Sequence, residues 1–419
     1  MSTRSSHDER KTQYKKGVSV EDGRRRRQDT TVQIRKSKRQ EQMKKRRNMN
    51  MNAQSDVTSN GSSGSESGGQ NANPKNEKNK VAKQICFKVF GNLECHIKNL
   101  NQIAQAVKSS YFHAKYAGIR YVRKLLSVQN DPPVEPILNA GLVPFLIEAI
   151  QQQQMIEMVF EAAWALTNIA STQYTNIIVE SGACQPMINL LCSYNAEVRE
   201  QAAWCLGNVA GDCTQYRDML LENDNALKNI VLNLKEPGNI SLLRNVTWCL
   251  SNFCRGKPQP CLAKVKPAIP VLLHLIQNSN DMEVMTDALW AMSYLSDGDD
   301  DRINACVEAN VTPTVVANLS HAEVKIVTPA LRVVGNLVSG NEHATQTVLE
   351  AGALPALHGL LDHPKKGIRK EACWAISNIT AGTAEQIETV LSFSSIMKKI
   401  VELAEHANWD VRKEAVRTL

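Results

Sequence analysis

Residues 200–212 read EQAAWCLGNVAGD, and variants of this stretch return along the chain at a nearly fixed interval. Five of the six tryptophans stand in the same phrase: Trp164-Ala-Leu-Thr-Asn168, Trp204-Cys-Leu-Gly-Asn208, Trp248-Cys-Leu-Ser-Asn252, Trp290-Ala-Met-Ser-Tyr294 and Trp374-Ala-Ile-Ser-Asn378. Arg332-Val-Val-Gly-Asn336 fills the one slot without a Trp, so successive phrases lie 40, 44, 42, 42 and 42 residues apart. Ahead of the phrases run shorter apolar segments such as 140–150 (AGLVPFLIEAI), 267–276 (PAIPVLLHLI) and 351–361 (AGALPALHGLL). Pro144, Pro270, Pro313 and Pro355 suit the first turn of such helices, because a first-turn residue has no intrahelical use for its N–H.

A period near 42 residues with two or three helices per unit is that of armadillo repeats. The expected fold is all-α: a right-handed armadillo-repeat superhelix, an α-solenoid, over 85–419, with about seven repeats and a truncated eighth. Residues 85–130 have no Trp phrase and read as an irregular first unit that caps the stack.

At about 100° per residue, positions in the phrase helix can be assigned to faces. The residues two before, two after and five after Trp fall roughly opposite it. They are apolar in all six units, from Ala162/Leu166/Ile169 to Ala372/Ile376/Ile379, and make the expected buried stripe. The Asn four after Trp and the residue three before it fall within roughly 60° of Trp. Trp and Asn are therefore expected on an outer, concave face as two parallel ladders. A carboxamide can both donate to and accept from an extended peptide, and slots between indoles suit the stem and cationic head of Lys or Arg. Glu161, Glu371, Asp287, Glu200 and Asp212 add carboxylates to that face.

The charge distribution agrees with a basic ligand for the body. The first 50 residues hold 17 Lys/Arg against 6 Asp/Glu, which leaves 32 basic and 36 acidic residues for the rest. A mildly acidic body is a poor phosphate binder, and no direct nucleic-acid contact is expected of it. Residues 49–84 open with a Ser/Asn/Gly-rich stretch that has little to bury and read as a flexible linker. The basic arm ahead of it is expected to be disordered until it folds on a partner. Composition alone would also allow that arm to be a localisation signal or a nucleic-acid arm. No apolar run approaches 18 residues and the N-terminus is polar, so neither secretion nor membrane insertion is expected. The eleven cysteines show no metal-ligand spacing and read as buried reduced thiols. No phosphate loop, nucleophile elbow or metal-spaced His is present; no cofactor and no enzymatic activity are expected. An armadillo scaffold of the adhesion or signalling type is the rival, but it would present a basic groove.

EAAWALTNIAS (161–171), EQAAWCLGNVAGD (200–212) and KEACWAISNITAG (370–382), with the basic segments Arg24-Arg-Arg-Arg27, Val32-Gln-Ile-Arg-Lys36 and Gln42-Met-Lys-Lys-Arg-Arg-Asn48, resemble the importin-α (karyopherin-α) family over almost the whole chain. Tyr294 for Asn in the fifth repeat and Arg332 for Trp in the sixth match that family's own irregularities. The resemblance implies a nuclear import adaptor that shuttles between cytoplasm and nucleus and works with the nuclear pore transport machinery. Its arm, residues 1–48 including Arg24, Arg25, Arg26 and Arg27, would bind importin-β, and Lys45-Arg46-Arg47 would occupy the chain's own groove as an autoinhibitor. Cargo proteins with basic nuclear localisation signals would bind a major site of Trp164, Asn168, Thr175, Glu200, Gln201, Trp204, Asn208, Asp212, Asn245, Trp248 and Asn252. Asp212 would partner the critical signal lysine. A minor site would comprise Asp287, Tyr294, Arg332, Asn336, Glu342, Glu371, Trp374 and Asn378. Arg255 and Arg332 would place positive charge between the two. The family's repeats continue beyond the position of Leu419, so the chain is expected to lack the last of them.

Overall fold

The computed structural model describes residues 97–419, apart from 129, 130, 153, 236 and 237. The basic arm with Arg24–Arg27 and Lys45–Arg47, the linker 49–84 and the first residues of the predicted capping unit lie outside the described residues. The described residues fall into two compact units, 97–209 and 210–419, with the limit inside one helix.

The first unit opens with a helix pair, α1 (Leu100–Val107) and α2 (Phe112–Leu126). Two helix triplets follow: α3 (Val134–Asn139), α4 (Val143–Gln151) and α5 (Ile156–Ala170), then α6 (Thr175–Glu180), α7 (Cys184–Leu190) and α8 (Ala196–Asp212), the last crossing the unit limit. In each triplet the Trp phrase lies on the long third helix, as the spacing predicts. Pro144 sits at the start of α4, where a missing N–H costs nothing. Gly118 in α2 lies so close to the α1 backbone at Val107 that a Cβ would collide with it; the pair can pack only through glycine at that point.

The second unit continues the scheme with α9 (Thr214–Glu222), α10 (Asp224–Leu234) and α11 (Ile240–Cys254); α12 (Leu262–Val265), α13 (Ile269–Asn278) and α14 (Met282–Leu295); and α15 (Asp300–Glu308), α16 (Val311–Ala317) and α17 (Val324–Leu337). Then come α18 (Glu342–Glu350), α19 (Ala353–Leu361) and α20 (Lys366–Thr380), and finally α21 (Ala384–Ser392), α22 (Ser394–His406) and α23 (Trp409–Thr418). Polar side chains start many of these helices. Asn239 caps α11 and Asn341 caps α18, each accepting one of the N–H groups that a helix start leaves unpaired, and Asp281 caps α14 by accepting two. Thr383 and Gln386 form a full capping box at α21.

The predicted stripe is the core. All eighteen residues two before, two after and five after the Trp slot, from Ala162 through Phe253 and Met292 to Ile379, are 0% exposed. Two features have no counterpart in that periodicity. Arg217 of α9 is fully buried, and its guanidinium donates to the carbonyls of Arg255 (2.7 Å) and Pro258 (2.8 Å), pinning the loop that follows α11. The cysteines among the described residues divide: Cys184, Cys205, Cys249, Cys254, Cys306 and Cys373 are buried, but Cys192, Cys213 and Cys261 are exposed, which corrects the expectation that all are interior. Burial pushes the Cys184 thiol up to about 11 and that of Cys306 up to about 12, so neither is a thiolate near neutral pH. Among the described residues no helix is long and apolar enough to cross a membrane.

Candidate peptide-binding surface

In the first unit, Trp164 of α5 lies opposite the stripe but is only 7% exposed. One cause is Phe160, edge-on at 5.6 Å between ring centroids; the other is the guanidinium of Arg123, 4.4 Å from the Trp164 ring centroid. Glu161 fixes that guanidinium, accepting from Arg123 Nε at 2.5 Å and Nη2 at 3.0 Å, with both side chains under one-tenth exposed. Glu161 is therefore not an acid offered to a ligand, as its helix face suggested, but half of an internal clamp. Trp204 of α8 is half-buried, and so is Glu200. Gln201 is buried beside them, and its Oε1 finds no hydrogen-bond partner among the described residues.

The Asn ladder is more interior than the helix arithmetic implies. Asn168 is 5% exposed and donates to Ser127 Oγ at 3.2 Å; Asn208 is 0% exposed and donates to the carbonyl of Thr167 at 3.2 Å. Each carboxamide thus ties the end of one phrase helix to the next, Asn168 through a hydroxyl and Asn208 through a carbonyl left without an intrahelical partner. A first task of these asparagines is structural, which corrects the picture of an outward ladder given wholly to ligand. Thr175, expected at the major site, is buried, and its hydroxyl donates to the carbonyls of Ala170 and Thr172 at the turn into α6.

In the second unit, Asp212 is exposed at the last residue of α8, and Arg255 donates to the neighbouring Gly211 carbonyl at 2.8 Å. Trp248 is half-buried on α11, flanked by the buried Asn245, which donates to Ser241 O at 3.1 Å, and by the buried Asn252. Trp290 is half-buried on α14 and stacks on the buried Tyr294 at 6.2 Å, with Asp287 half-buried on the same helix. Asn336 of α17 repeats the tie, donating to Ser293 O at 2.9 Å and Ser296 Oγ at 3.2 Å. Asn378 reaches Gly335 O at 3.5 Å. Glu342 is exposed at the start of α18.

Arg332 does here what Arg123 does in the first unit. It pairs bidentately with Glu371 (2.8 and 2.9 Å), and the following Trp374 is only 8% exposed. The indole of Trp374 rests on the bare backbone of Gly335, where a Cβ would run into the ring. Gly335→Ala is expected to displace the indole and lower stability by about 2 kcal/mol, read as a lower urea midpoint for the full chain.

Arg123 and Ser127 are the residues that sequence reasoning missed. Ser127 lies 41 residues before Asn168, so Arg123-Lys-Leu-Leu-Ser127 is a phrase with Arg in the Trp slot and Ser in the Asn slot. Its spacing was a usable signal, hidden by the absent indole.

Repeated helix triplets with one indole or guanidinium per phrase helix define an armadillo-repeat protein. The Armadillo/beta-catenin-like repeat family matches residues 130–171, 171–211, 265–297 and 341–381. A solved engineered protein has the same fold at TM-score 0.68 and 24% identity, over 76% of this chain and 77% of that one. A designed armadillo repeat protein matches at TM-score 0.52 and 26% identity, over 56% of this chain and 98% of its own. Ahead of the repeats, the Importin beta binding domain family matches residues 10–116. Importin subunit alpha-2 of Arabidopsis thaliana is 42% identical over 314 residues, 74% of this chain and 54% of that protein. The chain belongs to the importin-α family. It spans about half the length of the curated relatives it matches.

Proposed function

We propose that the protein is a nuclear import adaptor, not an enzyme. Its repeats bind basic nuclear localisation signals of cargo proteins, and its N-terminal arm binds importin-β and links the complex to the nuclear pore transport machinery, so that the protein shuttles between cytoplasm and nucleus. The observation that carries this reading is the order of parts: an importin-β-binding match over 10–116 precedes repeats that carry an indole on successive phrase helices. The half-buried indoles of Trp204, Trp248 and Trp290, the carboxylates of Glu200, Asp212 and Asp287, and the buried acceptor of Gln201 support a cationic, lysine-bearing ligand. Trp164, Asn168 and Asn208 in the first unit, and Asn245 and Asn252 in the second, are the other residues assigned to the major signal site, while Arg332, Asn336, Glu342, Glu371, Trp374 and Asn378 are assigned to a second one in which an acid is already internally paired.

Fluorescence anisotropy tests the reading with a labelled lysine-rich peptide, and with an acidic peptide of equal length, titrated against the full chain. Selective binding of the basic peptide is expected; equal binding of both rejects it. The same assay tests autoinhibition. Lys45-Arg46-Arg47 sits on a linker whose reach is about 35 Å, which places it at an effective concentration of roughly millimolar. Deletion of residues 1–50 is expected to tighten peptide binding, and identical affinities exclude an autoinhibitory arm.

A further inference from the structure

Arg takes the Trp slot at Arg123, Arg332 and Arg417; Arg417 pairs with Glu414 of its own helix, whereas the first two each pair with an acid of the next phrase helix. Arg123 pairs with Glu161 and Arg332 with Glu371; in each case the acid lies three residues before the next Trp. Trp164 and Trp374, which follow these arginines, are 7% and 8% exposed, whereas Trp204, Trp248 and Trp290, which follow a Trp, are half-buried. At Trp164 the guanidinium lies over the ring itself, 4.4 Å from its centroid.

The first pair is the tighter of the two and has a further charge beside it. Arg120 stands 3.7 Å from the same Glu161 and is 38% exposed at its side chain. Two guanidiniums thus share the Glu161 carboxylate beside the Trp164 indole, and the exposed Glu157 acts on the same cluster. A ring attracts a cation through its face, and here Arg123 already covers one face at 4.4 Å. A ligand lysine arriving there would find an indole only 7% exposed with one face taken, the Glu161 carboxylate already paired, and the Arg120 guanidinium beside it.

The geometry points to Arg123, held by Glu161, as a specificity-determining residue that ends the cation-accepting run at Trp164: the ligand residues beyond that indole are neutral or acidic, never Lys or Arg. This rests on the proposed binding of basic peptides and adds to it a stop that sets which way and how far a basic cluster can slide. Glu161 is its positioning residue, and Arg120, 3.7 Å from Glu161, sets a second cation where a ligand lysine would have to come.

The test uses the full chain and a labelled peptide of five consecutive lysines, extended at either end by Ala-Ala, Glu-Glu or Lys-Lys. At one end, the Lys-Lys extension is expected to bind about fivefold more weakly than Ala-Ala or Glu-Glu, a modest ratio because Arg120 is partly solvent-screened. In the double variant Arg123→Met/Glu161→Gln, which keeps the bulk and removes the charges, the ratio between extensions is expected to fall to about one. A merely structural clamp would change all extensions together and leave the ratio intact. Arg120→Gln, whose side chain is solvent-accessible, serves if the double variant does not fold, with the ratio expected near twofold. Equal binding of Lys-Lys and Ala-Ala at both ends of the unaltered chain overturns the stop, and so does an undiminished ratio in the variants. Failure of every peptide to bind the unaltered chain instead sinks the peptide-binding reading itself.

Discussion

Glu161→Ala is expected to destabilise the first unit by about 3–5 kcal/mol, the cost of removing one partner from a buried ion pair. The size follows from what is left behind. Arg123 is 5% exposed and Glu161 6%, so the guanidinium would lose two hydrogen bonds of 2.5 and 3.0 Å without water to replace them. Escape from the Trp164 face would in turn uncover an indole whose packing depends on that guanidinium. Removing both charges at once, as in Arg123→Met/Glu161→Met, is expected to recover most of the loss, because a packed apolar pair carries no stranded charge. Glu371→Ala provides an internal comparison: Arg332 and Glu371 are 16% and 13% exposed at their side chains, so water can partly solvate the survivor and the loss is expected to be smaller. Urea midpoints of the four proteins decide it. Equal midpoints for Glu161→Ala and the unaltered chain would mean that the clamp does not hold in solution.

The largest expected effect on binding comes from a residue that stability does not need. Asp212→Lys is expected to weaken the lysine-rich peptide about 100-fold, since it removes an attractive charge and sets a like charge against the incoming cation. Asp212 is exposed and ends α8. A carboxylate there opposes the helix dipole, and a lysine at the same place favours it. The substitution should leave the fold intact or slightly firmer, so a loss of binding cannot be blamed on unfolding. Anisotropy titration together with a thermal melt reads both quantities. Unchanged peptide affinity would remove Asp212 from the site.

The asparagines show why the site was only partly legible. Phase within a helix says which way a side chain leaves its own axis, and by that measure Asn168 and Asn208 lie with Trp, away from the stripe. Phase is silent about the neighbouring repeat. The carbonyls at the end of the preceding phrase helix, such as Thr167 O, come within hydrogen-bonding distance only when the repeats stack, and they draw the carboxamides inward. The pairings of Glu161 and Glu371 were hidden for the same reason: their partners, Arg123 and Arg332, lie 38 and 39 residues away in the chain.

By itself the sequence determined the repeat, its period, the third helix of each unit and the stripe that became the core, because each of these depends on one helix and its 3.6-residue turn. Only the tertiary structure decided which polar groups on the opposite side are spent between repeats and which remain for a ligand. The cause is that hydrogen bonds and ion pairs between stacked helices join residues about forty positions apart, where no local pattern in the chain can register them.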